Sequence, residues 1–222
     1  MDKPDTTARL SETHSTGGEL TTIWMETESG RMFDPMDAEP SYSLSDLARG
    51  CARACRYGGQ ISWDVDHYSI LEHQVLLAEY VIANMYPGYL SAGMSVDMLP
   101  YHAKKEVRTA LMHDLHEGLI LDVMRPLKKR MPDYQRLEFK FARDVATRFD
   151  LIYPMAGWMK DLDNRILVDE RAQALNPSAN HWGSIDGLEP LGVELQFWSP
   201  RTAYRKFKEL LGKLAPLQAE LL

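Results

Sequence analysis

Two histidines and two aspartates along this chain form a set suited to holding a divalent cation. His73 lies one turn into a helical segment, His113 and Asp114 are adjacent in a second, and Asp163 lies in a third. Two imidazoles and two carboxylates suit a borderline ion such as Zn2+, Mn2+ or Co2+. Four protein ligands leave positions open for water and substrate, and a bound ion can bring the pKa of a water from about 16 to about 7. Glu117 follows His113 by four residues, so one helix would carry both on one face. A carboxyl placed there can protonate a leaving oxygen or orient an attacking water, worth roughly 10²–10⁴-fold. Asp122 ends the same helix, where it can accept a hydrogen bond from a sugar hydroxyl. Arg125, Lys128, Lys129 and Arg130 follow as a cationic group suited to an anionic substrate.

The elements that must position these residues are mostly helical. Residues 1–18, His14 among them, have no helical or strand period and read as a disordered tail, leaving 19–222 as one domain. Residues 21–34 alternate around Ser29-Gly30 and predict a short β-hairpin. Ser45-Asp46 can cap a helix running to about Arg56, and Gly58-Gly59 mark a loop over 57–67. Ser69 with Glu72 fits a capping box opening a helix over about 70–86, which stops at Pro87-Gly88. A loop over 88–101 precedes a third helix over about 102–119, with Val107, Ala110, Leu111 and Leu115 at core spacing. The basic stretch 123–133, broken by two prolines, reads as irregular. Helices over about 134–149 and 156–175, a loop-rich stretch and a last helix opened by Ser199-Pro200 complete the chain.

Composition sets the outer limits. At 222 residues and 45% hydrophobic content the chain can bury one sizeable core. A net charge of −7 argues against a protein that coats a nucleic-acid polymer. No apolar run reaches a membrane span and the polar N-terminus has no signal-like core, so a cytoplasmic protein without a membrane partner is expected. Cys51 and Cys55 are four apart, neither a metal nor a redox pair, and read as buried structural thiols. His116 should turn away from the ligand face toward the surface or a supporting role, and His67 fits either. Trp63 suits a base pocket or plain packing, and Asp161 should face solvent.

The order His73, His113-Asp114, Asp163 resembles the HD-domain metal-dependent phosphohydrolases. "CRYGGQ" (55–60), "YSILEHQVLLAEYV" (68–81), "ALMHDLHEGLILDVMRPLKK" (110–129) and "DLDNRILVDERAQAL" (161–175) are similar to small phage and bacterial HD hydrolases. Those are similar in turn to bacterial 5′-deoxynucleotidases and to phage deoxynucleoside triphosphohydrolases, including ones acting on dATP. "WMETESGRMFDP" and "FWSPRTAYRKF" extend the likeness over about 22–210. The resemblance implies an HD-domain helical bundle with a small N-terminal β-hairpin. It also implies one divalent ion on His73, His113, Asp114 and Asp163, with Glu117 as catalytic acid. Arg56 would contact phosphate or support catalysis. Tyr57, where relatives often carry tryptophan or phenylalanine, would pack on the deoxyribose. Asp122 would bind the 3′-hydroxyl and Lys128 phosphate oxygens. Many phage relatives have GGH or NGH where this chain has GGQ, and Gln60 lies outside the ligand set.

The function implied is hydrolysis of a deoxynucleoside 5′-monophosphate or triphosphate, with a water activated by the ion attacking phosphorus. A nucleotide-binding regulatory protein with little turnover is the alternative, and the intact ligand set and Glu117 weigh against it. Hydrolysis of cyclic dinucleotides is disfavoured, because the only comparable triplet, "PGY" at 87–89, lies upstream of His113. Relatives assemble as dimers or larger, so a homo-oligomer is the expectation.

Overall fold

Two short antiparallel strands, β1 (Met25–Glu26) and β2 (Met32–Phe33), open the part of the chain described by this computed structural model, residues 24–183 and 185–214. Helices follow: α1 (Leu44–Arg53), α2 (Ile70–Met85), α3 (Pro87–Ser91), α4 (Tyr101–Met112), α5 (Glu117–Ile120), α6 (Arg125–Lys128), α7 (Pro132–Arg148), α8 (Gly157–Ala174) and α9 (Pro200–Leu214). The expected tail at 1–18, the hairpin's first residues at 21–23 and any continuation of α9 lie outside the described residues. The fold is thus a helical bundle with a small hairpin, as expected. None of the described helices is long and apolar enough to cross a membrane.

The hairpin pairs Met25 with Phe33 and Glu26 with Met32. Gly30 adopts a positive φ of 78° in its turn, a conformation that costs glycine little. Phe33 packs at 5.0 Å from the Phe141 ring of α7, fixing the hairpin to the bundle. Asp46 adds a second tie by accepting from Ser29 N at 2.9 Å.

The same aspartate corrects the start of α1. The cap is Ser43 rather than Ser45-Asp46: Ser43 Oγ accepts from Asp46 N and Asp46 Oδ2 accepts from Ser43 N, a capping box with aspartate as its acidic member. The helix also stops at Arg53, short of Arg56. From Ala54 the chain is extended and bridges to Ser69, with Arg56 N donating to Tyr68 O at 2.9 Å. Arg56–Gly59 then form a 3-10 turn in which Tyr57 has a φ of 57°.

Helix α2 is the axis of the bundle. Every residue from Ile70 to Ala78 is buried, and the helix touches α1, α4, α8 and α9. Ser69 caps it as expected, accepting from Glu72 N at 3.0 Å. The return half of the capping box is absent. Glu72 instead accepts from the backbone N–H groups of Gln196, Phe197 and Trp198 at 2.7–2.8 Å. Asp169 of α8 likewise accepts from Leu191 N and Gly192 N, and Gln173 from Leu195 N. Irregular backbone at 191–198 is thereby fixed by helix side chains in place of a sheet ladder.

The largest departure from expectation is the expected helix over 102–119, which breaks at residues 113–116. Helix α4 ends at Met112 and the chain crosses to α5 through bonds from Leu115 N to Met112 O and from Glu117 N to Asp114 O. Three neighbours stabilise the break. The Gln74 amide, with its nitrogen toward Leu111 O at 3.1 Å, accepts from Asp114 N and Leu115 N at 3.1 and 3.0 Å. The Cys51 thiol faces the carbonyls of Asp114 and Leu115. Gly118 meets α1 so closely that a Cβ would overlap the Leu47 carbonyl oxygen, and one on Gly50 would overlap Gly118 O. Gly118→Ala is therefore expected to destabilise the fold by about 1–3 kcal/mol or more. Equilibrium urea unfolding measures this, and an unchanged midpoint would contradict the close approach.

The remaining differences are smaller. The 88–101 stretch contains α3's end and a 3-10 turn at Val96–Met98, and the 123–133 stretch contains α6. Helices α7, α8 and α9 lie within two residues of their expected starts, and Ser199 Oγ accepts from Thr202 N at the head of α9.

Candidate metal centre

Three helical segments bring the four expected ligands together. His73 comes from the first turns of α2, His113 and Asp114 from the break after α4, and Asp163 from α8. One ligand atom from each lies within 4.8 Å of all the others. His73 Nε2 is 3.2 Å from Asp163 Oδ1, and His113 Nε2 is 3.2 Å from Asp114 Oδ2 and 3.7 Å from Asp163 Oδ1.

The tautomers fit a cation. His113 Nδ1 faces the Ala110 carbonyl at 2.9 Å, which can only accept, so that nitrogen carries the proton. His73 Nδ1 faces Glu170 Oε1 at 2.7 Å. Burial raises the Glu170 carboxyl, but Arg56 and His73 outweigh it and bring its pKa down to about 2. An ionised carboxylate can only accept, so His73 also donates from Nδ1. Both Nε2 lone pairs then point at the carboxylates, and both atoms are buried without a hydrogen-bond partner. Buried polar atoms are rarely left so. A divalent ion among these donors would satisfy both nitrogens and offset both carboxylates. Without one, the two carboxylates push His113 toward its protonated form. Burial lowers His113, but Asp114 and Asp163 raise it well above its usual range; Asp163 in turn is pulled well below the carboxylate range by the two histidines, against burial.

Glu170 was not among the residues singled out from sequence. Asp163 and Glu170 lie seven apart on one face of α8 and grip opposite nitrogens of the His73 ring. The fully buried Glu170 also accepts from Arg56 Nε at 3.2 Å, Tyr68 Oη at 2.9 Å and Tyr57 Oη. Carboxylate, histidine and ligand position form the arrangement that fixes a metal-binding imidazole. The seven-residue spacing inside "DNRILVDE" was the available signal, but a helix supplies many such pairs.

The other expected residues surround the cluster. Glu117 is buried, its Oε2 unpartnered. Burial first, then the charges of Asp114 and Asp122, push its carboxyl well above the usual range, while Lys128 and Arg56 oppose the shift. Asp122 is raised too, mainly by burial and against Arg56. It follows Leu121, whose φ of 73° strains the backbone. Arg56 Nη1 is 4.0 Å from Asp114 Oδ2, so the guanidinium bridges Glu170 and a ligand carboxylate. Tyr57 is anchored by its hydroxyl on Glu170, with its ring 5.9 Å from that of Trp182. Lys128 bonds Glu138 and stands 3.6 Å from Glu117. Arg125 reaches Asp163 at 3.4 Å and Asn164 at 2.8 Å.

The neighbouring residues singled out from the sequence divide: Asp161 faces solvent as expected, and others differ. His116 is buried beside Glu138, the supporting placement rather than the surface one. Trp63 is 96% exposed, so it packs against little of the chain. Asp161 and Gln60 are exposed, and His67 holds the Ala52 carbonyl at 2.9 Å. Cys51 is buried but Cys55 only partly. A 150 Å3 cavity lies against His113, Asp114 and His116, walled by Thr109, Val145 and Tyr153. It is smaller than the roughly 300 Å3 of ordinary ligand pockets.

Fold and site together define a helical-bundle protein with a candidate divalent-metal centre of two histidines and two aspartates. The chain is similar to the uncharacterized protein YfdR of Escherichia coli (strain K12), with 26% identity over 176 residues, covering 79% of this chain and 85% of that protein. No family model matches the chain. The ligand assignment is directly testable. The wild type at 100 times its Kd for Mn2+ or Zn2+ should be stabilised by about 2.7 kcal/mol. The pair His73→Ala, His113→Ala should show no such shift in thermal melts, and an equal shift would remove these residues from the site.

Proposed function

We propose that this protein is a metal-dependent phosphohydrolase of the HD type acting on deoxynucleotides. The observation that supports it most is the pair of buried, unpartnered Nε2 atoms facing two carboxylates beside a buried acid, Glu117. Zn, Mn or Co held by His73, His113, Asp114 and Asp163 would supply Lewis acidity at a phosphoryl oxygen and a water of lowered pKa. The chain's own residues supply the rest. Glu117, kept toward its protonated form by burial and by Asp114, would give a proton to the leaving oxygen. Arg56 balances the charge of Asp114 and would face charge developing on phosphate. Asp122 would accept from the 3′-hydroxyl, Tyr57 would pack on the sugar, and Lys128 would meet phosphate oxygens. The substrate is a deoxynucleoside 5′-monophosphate or triphosphate, dATP included, and the protein works as a homo-oligomer in the cytoplasm.

A substrate panel tests this reading. The protein loaded with Mn2+, Co2+ or Zn2+ is offered deoxy- and ribonucleotides as mono- and triphosphates, with phosphate and triphosphate release measured separately. Turnover preferring deoxynucleotides is expected. Metal bound with no turnover on any of them would favour the regulatory binder.

A further inference from the structure

Behind the metal centre, His116, Glu117 and Glu138 offer three ligand atoms within 4.8 Å of one another, the geometry of a second cation site. The chain supplies its own cation there. Lys128 Nζ bonds Glu138 Oε1 and stands 3.6 Å from Glu117 Oε1, while His116 Nε2 is 3.8 Å from the same Glu138 oxygen. We propose that Glu138 is a positioning residue: it seats Lys128 at the edge of the metal centre, off Glu117, where the ammonium can meet the phosphate of an anionic substrate. This rests on the phosphohydrolase reading above and specifies how that site would hold its anion.

The placement of Lys128 comes almost wholly from α7. Glu138 takes the ammonium, the Tyr134 ring lies 5.9 Å from Nζ, and Gln135 Nε2 donates to the Lys128 carbonyl at 2.6 Å. Both ends of the residue are thus fixed by one helix, which itself starts at Pro132. A lysine has a flexible four-carbon stem, and its position is set by whatever carboxylate holds it. Among the described residues, the carboxylates within 4.0 Å of Nζ are those of Glu138 and Glu117. With Glu138 gone, Glu117 is the partner left in reach. An ion pair there would draw the lysine inward and hold Glu117 as a carboxylate. An ammonium and a divalent ion at one site repel each other, so the seat belongs to lysine and the chain should bind one metal ion.

The test uses the full chain loaded with Mn2+ and inorganic tripolyphosphate as an anion probe, titrated calorimetrically. Glu138→Gln and Lys128→Met should each weaken tripolyphosphate binding about tenfold, the loss expected of one charge-assisted hydrogen bond. The double variant should bind no worse than either single one, because both changes remove the same contact. Glu138→Asp, which keeps the charge, should recover part of the affinity, and metal content should stay at one ion per chain throughout. Thermal melts establish that each variant is folded, and the lysine and aspartate variants carry the test if the glutamine variant is not. Unchanged or tighter probe binding in Glu138→Gln, additive losses in the double variant, or a second metal equivalent lost with Glu138 would overturn the proposal. If nucleotides are turned over and only the lysine variant weakens the probe, this inference alone fails. If wild type neither turns over nucleotides nor binds the probe, the phosphohydrolase reading fails with it.

Discussion

Glu117→Gln should lower turnover of the substrate found in the panel by roughly 10²–10⁴-fold while metal content stays unchanged. The amide keeps the shape and the buried setting but has no carboxyl proton to give. That the residue is poised as an acid follows from its surroundings: it is buried, one oxygen lacks a partner, and the carboxylates of Asp114 and Asp122 oppose a further negative charge. A carboxyl kept neutral by its site is the usual way a general acid operates near pH 7. Loss of turnover through unfolding has an opposite signature. Glu117 has a folded pKa above its unfolded value, so its contribution to stability is full below the unfolded pKa and is lost as pH rises through the folded one. Glutamine does not titrate. The variant should therefore gain stability relative to wild type as pH rises, while turnover falls at every pH. Metal loss in the variant, measured by elemental analysis, would instead make Glu117 a ligand.

How far the sequence discloses the fold depends on whether a feature is local. Ser69, Ser199-Pro200 and the Ser29-Gly30 turn act within four residues of themselves, and each is where the pattern places it. The break at 113–116 is different in kind. Nothing in "ALMHDLHEGLI" interrupts a helical period, and the interruption comes from Gly50, Cys51 and Gln74 on other helices. Glu72 shows the same limit. Its spacing from Ser69 is right for a capping box, yet three N–H groups more than 120 residues away take its carboxylate. Tertiary partners win here because a buried carboxylate is better served by three donors than by one.

At the site, residue identity was legible and partnership was not. The ligands and Glu117 are unusual residue types for a buried helix, which is why they can be found by inspection. The counter-charges are ordinary. Glu170 and Glu138 sit in helical segments rich in charge, and only the folded chain shows that one fixes His73 and the other Lys128. Arg56, expected to contact phosphate or support catalysis, and Lys128, expected to hold phosphate oxygens, each already bond a carboxylate. Under the proposed function, a site binding a polyanion in an acidic protein would need its cations held in place beforehand, and those carboxylates would do so.

Glu170→Gln is the substitution expected to cost the fold most. Wild-type Glu170 is fully buried and accepts from Arg56, Tyr57, Tyr68 and His73 at once. Its pKa near 2, against an ordinary carboxyl value near 4.5, corresponds to about 3 kcal/mol of stability. The sign is that of a depressed carboxyl: the contribution is present above the unfolded pKa and lost as pH falls through the folded one, so stability should decline between about pH 5 and pH 2. Glutamine keeps the volume but leaves the buried Arg56 guanidinium without its nearer carboxylate, only Asp114 at 4.0 Å remaining, and removing one partner of a buried pair costs about 3–5 kcal/mol. It also presents an amide that can donate toward His73 Nδ1. If the ring then carries its proton on Nε2, the lone pair needed by the metal is lost, and affinity for the ion should fall about 10–100-fold. Urea unfolding of the metal-free protein measures the first effect, and chelator competition on folded protein measures the second. A variant with unchanged midpoint and unchanged metal affinity would show that α8 contributes Asp163 alone to the centre, and that the grip on both nitrogens of His73 has no energetic consequence.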